Sequence, residues 1–486
     1  MGAFSRVLRP RWFAFNSLVF AVYVVGVALQ VADREIWFDE AQAWLIARAS
    51  ANPLELWSNL RFEGHPPLWY VLIGPMARLS PDVEHLKALA LLMSAIFGVI
   101  VTFGRTVPRL LRPLLLAGFL PAVGYGALGR PYMLGLILLF TWIELLAYES
   151  STGRATFRSR AVVAFLLSMV HLMFSVVAVG LVLGDILAAR PQLPDADERR
   201  VRWGLGSALS MVAVGALFLP DRSSAFVPAE LGLGDLRAVP LASALAEAAG
   251  APPEFPFGTR LAILLLVIGL LGLSVRTSPT YAGSMTFGVV VLLVNRVIGY
   301  GSQWWHVGVS TFALIAVALL ALIPNRTGVT ELQRRPRLAV PVTGLLIPIL
   351  AAQVFATWDW FSRDLSFTRS SGADAAEIVT HWCPAGCPLV VDSSVSGATV
   401  LAHLGGASAF RLDDERDGTF ALWDPNSRSG EVSWDALHRA LDERGSDAIG
   451  ITSQLQDPPA DFVIIGRTPT GSSGAEEYLI VALADR

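Results

Sequence analysis

Apolar runs close to 20 residues long recur along the chain as far as residue 356. Each is about the length a helix needs to cross a ~30 Å hydrocarbon core. Repeated this often, they leave little room for any plan but a bundle of membrane helices. The candidate spans are 12–32, 88–104, 110–126, 131–148, 161–189, 204–220, 259–275, 282–298, 304–323 and 338–356. Composition agrees, with 53% hydrophobic and 16% charged residues against about 25% charged in an average soluble domain. The first run follows "MGAFSRVLRPR", which carries three Arg. A secretory signal has a shorter apolar core and a small-residue cleavage site, so residues 12–32 are expected to stay as a first span. The run 161–189 is long for one span and reads as two short helices breaking near His171.

Arginine placement orients these segments, because cytoplasmic loops hold an excess of basic residues. Residues 1–11, 105–112 and 154–160 each carry three Arg and no acid, and 324–337 carry four Arg against one Glu. Residues 33–65 carry six acids against three Arg, and 221–258 five against two. The first group is expected inside and the second outside. The arrangement closes if 66–80, "PPLWYVLIGPMARLS", lies in the interface rather than crossing. Eleven crossings then place the N-terminus inside and residues 357–486 outside the cytoplasmic membrane. The expected fold is an all-α polytopic membrane domain of about 11–13 helices over 1–356, followed by an extracytoplasmic α/β domain over 357–486.

That tail holds nine Arg against twenty Asp and Glu, a net of −11. "CPLVVDSS" and "DFVIIGRT" read as buried strands. "SGATVLAHLGG" and "SWDALHRALDERG" read as helices ending at Gly405 and Gly445. Strands alternating with helices suggest a small α/β layer. Cys383 and Cys387, in "CPAGC", are the only cysteines. Outside the cell a disulfide across that tight loop is one outcome and two free thiols the other.

The chemistry-bearing stretch is "DREIWFDEAQAWLIARAS", residues 33–50, which sets Asp39 beside Glu40 among Trp37, Phe38, Trp44 and Leu45. A solvated loop acid next to an aromatic anchor would explain the pair without function. Ala43, Leu45, Ile46, Ala49 and Leu54, however, could press an amphipathic stretch into the interface and hold the carboxylates at fixed depth. "RFEGHPPLWYVL" follows, with His65, Pro66 and Pro67 where the chain turns back to the membrane. Ionisable groups at a membrane are functional candidates by default.

"IWFDEAQAWLIARAS…EGHPPLWYVL" resembles the first outer loop of the GT-C glycosyltransferases that use polyprenyl-phosphate sugars, the family 39-like branch of protein O-mannosyltransferases and lipid A aminoarabinose transferases. The motif covers residues 36–70, and the topology extends the match over roughly 1–356. The resemblance implies a polyprenyl-phosphate-linked sugar as donor, a hydroxyl on a cell-envelope glycan, lipid or protein as acceptor, and inversion without a covalent intermediate. It gives Asp39 the role of general base and leaves Glu40 to orient the acceptor or bind a divalent metal, whose need stays open. Arg130 and Tyr132, in "GRPYML", resemble a basic element at the outer end of a span and would contact the donor phosphate. Arg296, Gln303 and His306, in "NRVIGYGSQWWHVG", fall at another outer end and are candidates for the same head group. His65 and His171 complete the substrate-binding set. Each has a plainer reading: an Arg snorkelling to the interface, a Trp304–Trp305 belt anchor, or a satisfied histidine in an apolar stretch.

A transporter or flippase-like protein with a binding ectodomain is the rival, and an inactive scaffold a third reading. Transporters place polar groups at mid-membrane depth on broken helices. Here the notable charges sit at outer ends, and 204–220, 259–275 and 338–356 are nearly free of ionisable groups. No glycine pattern for dinucleotide or nucleoside triphosphate is present, and nothing points to nucleic acid.

Overall fold

The computed structural model describes residues 10–188, 194–218, 257–297, 304–323, 335–363, 370–425, 427, 430–468 and 477–484. It is mostly helical with a small C-terminal sheet. The chain divides into two compact units. One takes in Met1–Leu29, Ala90–Leu217 and Ala229–Arg363. The other takes in Gln30–Leu89, Phe218–Pro228 and Asp364–Arg486, so the stretch 30–89 and the tail fold together.

The first unit is helical. Its elements are α1 (Pro10–Asp33) up to Leu29, then α5 (His85–Phe103) from Ala90, α6 (Leu111–Leu116), α7 (Pro131–Thr152), α8 (Phe157–Ser168), α9 (Leu172–Leu187), α10 (Pro194–Phe218), α11 (Phe257–Thr277), α12 (Tyr281–Val297), α13 (Trp304–Leu322) and α14 (Arg335–Arg363). Among the described residues four helices are long and apolar enough to cross a membrane: Trp12–Asp33, His85–Phe103, Pro131–Thr152 and Val340–Asp359. Shorter apolar helices cover Leu172–Leu187, Leu261–Thr277, Tyr281–Leu292 and His306–Leu322.

The run 110–126 departs from expectation. It forms α6 and then a single π-helical turn, Leu120–Gly124. Pro121 has no N–H for a regular α-helical ladder, and the chain restarts there. The break in 161–189 falls where the sequence suggested, because His171 leaves the helical path and caps α9.

Two basic residues counted as loop charge are committed inside this unit. Arg112 donates to the carbonyls of Thr102, Gly104 and Val107, closing the end of α5. Arg160 is fully buried and grips Asp185 through two bonds of 2.7 and 3.0 Å, while Glu149 takes a third at 2.7 Å. Tyr281 donates to the same Asp185. The network thus ties α7, α8, α9 and α12 together.

The second unit holds α2 (Phe38–Ala49), α3 (Pro53–Leu60), α4 (Leu68–Leu79), α15 (Gly372–Trp382), α16 (Ser394–His403), α17 (Trp434–Arg444) and one six-stranded sheet. The strands are β1 (Leu389–Val391), β2 (Ala409–Arg411), β3 (Arg416–Gly418), β4 (Ile449–Thr452), β5 (Phe462–Arg467) and β6 (Leu479–Leu483), in the order β3-β2-β1-β4-β6-β5. β1 runs parallel to β2 and β4, and the remaining pairs are antiparallel. Ser393 and Ser433 cap α16 and α17 with their side chains, as short hydroxyl residues do at helix starts. Gly405 and Gly445, with φ of 71° and 107°, end them in backbone that favours glycine. Cys383 and Cys387 are joined as a disulfide.

Two expectations are corrected here. β5 is not a buried strand. It closes the edge of the sheet, and Val463 and Ile464 are 45% and 48% exposed. Nor does α2 lie as an amphipathic helix on a surface. Glu40 through Ala47 are all buried, because α2 packs against α4 on one side and α16 on another. Leu54, expected on the same apolar face, belongs to α3 and is 82% exposed. At 12 residues, α4 is about 18 Å long, short of a hydrocarbon core of about 30 Å.

Candidate functional site

In the second unit the acid pair opens α2. Trp37 stands at the N-cap in extended backbone, and Asp39 and Glu40 occupy the first turn, where the helix dipole favours negative charge. The two carboxylates have different surroundings. Asp39 is half-buried. Glu40 is fully buried, and both its oxygens meet the Arg34 guanidinium, at 2.6 and 2.8 Å. It also accepts the Trp37 N–H at 3.2 Å, closing the first turn on itself. A bidentate Arg–carboxylate pair fixes direction as well as charge, so Glu40 sets the position of the turn that carries Asp39.

The other end of α2 is fixed just as firmly. Arg48 donates to the carbonyls of Ala77 and Ser80 at the end of α4, and Arg78 of α4 donates to those of Ala47 and Ser50 at the end of α2. Each helix thus satisfies the other's orphan carbonyls with the charge its C-terminus prefers. His65, in the loop before α4, faces Glu63 at 3.6 Å. Glu63 in turn accepts from Gln42 of α2 at 2.7 Å. Asp39 and Gln42, three residues apart, lie on neighbouring positions of one helix face.

In the first unit four of the chosen residues meet. Arg130 caps α7, Pro131 follows at the first helical position, and Tyr132 sits in the first turn. His171 caps α9 and accepts the Met173 N–H on Nδ1 at 3.2 Å, which leaves the ring proton of the neutral form on Nε2. His306 lies in the first turn of α13. Ring centroids stand 5.3 Å apart for Tyr132 and His171, 5.4 Å for His171 and His306, and 6.3 Å for Tyr132 and His306. The Arg130 guanidinium lies 5.9 Å from the Tyr132 ring centre. Tyr125, which no sequence pattern singled out, stacks on Tyr132 at 4.9 Å.

Close packing makes this meeting possible. A Cβ on Gly135 would come within 2.2 Å of Phe174, so its absence lets α7 and α9 approach one turn from Tyr132 and His171. A Cβ on Gly308 would come within 2.2 Å of the Tyr125 hydroxyl, close to His306. The outcome is three helix N-termini at one cluster in which Arg130, Tyr132 and His171 are buried and His306 is half-buried. Helix N-termini hold about half a positive charge each and present backbone N–H groups to anions.

Arg296 falls near the end of α12, and its side chain lies outside the described residues, as does Gln303. Both Glu40 oxygens meet the Arg34 guanidinium. Among the described residues no three His, Cys, Asp or Glu side chains gather in a way that could hold a metal. Sequence reasoning missed Arg34, Gln42 and Glu63. The one available signal was Arg34, a basic residue six positions before an acid of the candidate pair. Compared with known proteins, the chain matches no family model and shows no significant similarity to a curated protein.

Proposed function

We propose that this chain is a membrane glycosyltransferase that moves a sugar from a polyprenyl-phosphate donor to a hydroxyl acceptor at the outer face of the cytoplasmic membrane. The observation that carries the reading is the convergence of Arg130, Tyr132, His171 and His306 at the N-termini of α7, α9 and α13. These residues come from three separate stretches, two of them chosen for the donor head group and the third, around His171, for substrate binding. A cluster with a guanidinium, two imidazoles, a phenol and three positive helix ends suits the singly charged phosphodiester of the donor and the charge it gains as it leaves as a monoester. The transmembrane part would be GT-C-like, with 11–13 helices, the N-terminus inside and the tail outside.

In this reading each unit has its own task. The cluster binds the donor phosphate and stabilises the charge that grows on it as the bond to the anomeric carbon breaks. Asp39 takes the proton of the acceptor hydroxyl as its oxygen bonds to that carbon from the opposite face. The configuration inverts, and polyprenyl phosphate leaves with the electron pair. Glu40 and Arg34 hold the Asp39 turn in place.

The test is to reconstitute the purified protein with a polyprenyl-phosphate sugar and measure release of polyprenyl phosphate. Arg130→Ala should weaken donor binding, and Arg130→Lys should recover only part of it, since Lys supplies a point charge without the guanidinium fork. A transporter would move the intact donor across vesicles and release no polyprenyl phosphate. Donor affinity unchanged in Arg130→Ala would remove the arginine from the phosphate site.

A further inference from the structure

The role of the C-terminal sheet is suggested by one side chain. Gln42 lies in the middle of α2 and is buried. Its amide pairs with the backbone of Ala421, accepting the Ala421 N–H at 3.0 Å and donating to the Ala421 carbonyl at 2.8 Å. This is the pattern by which a neighbouring strand would pair, supplied here by a side chain. The same Gln42 nitrogen donates to Glu63 at 2.7 Å, and Glu63 faces His65.

The loop that offers Ala421 is itself held from the sheet. Arg411, at the end of β2, forms a buried two-bond pair with Asp414, at 3.0 and 2.7 Å, and also donates to the carbonyl of Phe420. Arg416 holds Asp424 at 2.5 Å on the far side of the loop. A chain of buried polar contacts therefore runs from β2 through Arg411, the Phe420–Ala421 backbone, Gln42 and Glu63 to His65. Removing any buried member leaves its neighbours without partners.

We infer that Gln42 is a positioning residue through which the C-terminal sheet holds the Asp39–His65 motif in working geometry. The tail is then part of the catalytic apparatus rather than an appended module. The inference rests on the proposed function for its meaning, but the mechanical coupling can be measured without it.

The experiment follows backbone hydrogen exchange in the full-length protein in detergent, at residues 419–423 and 62–65. Gln42→Leu keeps bulk and removes all three bonds. Exchange should quicken in both segments, by about five- to tenfold, as loss of one or two hydrogen bonds predicts. Faster exchange at 419–423 with wild-type rates at 62–65 would reduce Gln42 to an anchor for the tail loop and overturn the inference. Should Gln42→Leu fail to fold, Gln42→Glu retains the acceptor for the Ala421 N–H and sets a carboxylate against Glu63. It should loosen 62–65 more than 419–423, and unchanged rates at 62–65 would again overturn the coupling. In the transfer assay Gln42→Leu should lower kcat and leave the donor KM unchanged. A raised KM at constant kcat would contradict positioning. If the wild type transfers no sugar, the proposed function fails while the exchange rates still decide the coupling.

Discussion

Asp39 and Glu40 are adjacent and chemically alike, yet their surroundings assign them different work. Asp39→Asn keeps size and much of the hydrogen bonding but cannot take a proton. Transfer should therefore fall by roughly 10²–10⁴-fold, the usual share of a general base, with thermal stability close to wild type. A wild-type rate in this variant would end the case for Asp39 as base. Glu40→Gln should act on stability instead, since it removes one partner of a fully buried ion pair with Arg34, a loss of about 3–5 kcal/mol measurable by thermal unfolding. A third acid in this stretch, Glu35, is pushed up to about 7, chiefly by burial and then by Asp374, against the pull of the Ala373 N–H and Lys87. Its folded form keeps a proton that the unfolded chain gives up near 4.5. The stability it contributes is thus complete below that value and is lost as pH rises through about 7. The melting temperature of wild type should drop over this window relative to Glu35→Gln, and parallel pH profiles would refute the assignment.

Elements, more than residues, explain what could be read in advance. Long apolar helices were legible because lipid demands long apolar runs, four of those described being long enough to cross a membrane, and the α8–α9 break because one run was too long. The helix stops at Gly405 and Gly445 were legible from local chemistry. What covers an apolar face was not. Ala43, Leu45 and Ile46 look the same in sequence whether they meet lipid or, as here, α4 and α16. β5 failed similarly, since "FVII" is as apolar at a sheet edge as at its centre. Arg130, Tyr132, His171 and His306 were each legible as helix-end residues, but their meeting depends on close approaches at Gly135 and Gly308 that no local pattern announces. Gln42 was illegible because its partner is a backbone group 379 residues away. Arg160 is the element-scale counterpart: it looked like a cytoplasmic loop charge and instead clasps Glu149 and Asp185. Arg160→Met should lower stability by about 3–5 kcal/mol by stranding buried carboxylates. Adding Asp185→Asn should restore part of the loss, and an additive double variant would show that the two do not act as a pair.

For the whole molecule the first question is orientation. With the native cysteines replaced by Ser, Ser446→Cys in the tail should react with a membrane-impermeant thiol reagent in intact cells. Ala155→Cys, in the loop before α8, should react only after the membrane is opened. Both positions are exposed, so labelling reports sidedness, and the opposite result would invert the proposed topology. The second question is how one compact unit is assembled from distant pieces of chain. Gln30–Leu89 leaves the ribosome well before its C-terminal partner, which begins at Asp364, roughly 270 residues later. At about 5–20 residues per second, the wait is about 15–55 s. Throughout that time α2 has no α16 to cover it and Gln42 has no Ala421 to hold. The stretch bearing Asp39 is thus synthesised long before the elements that complete its fold, so a polypeptide released before the sheet is complete would carry every residue of the motif and still lack its shape.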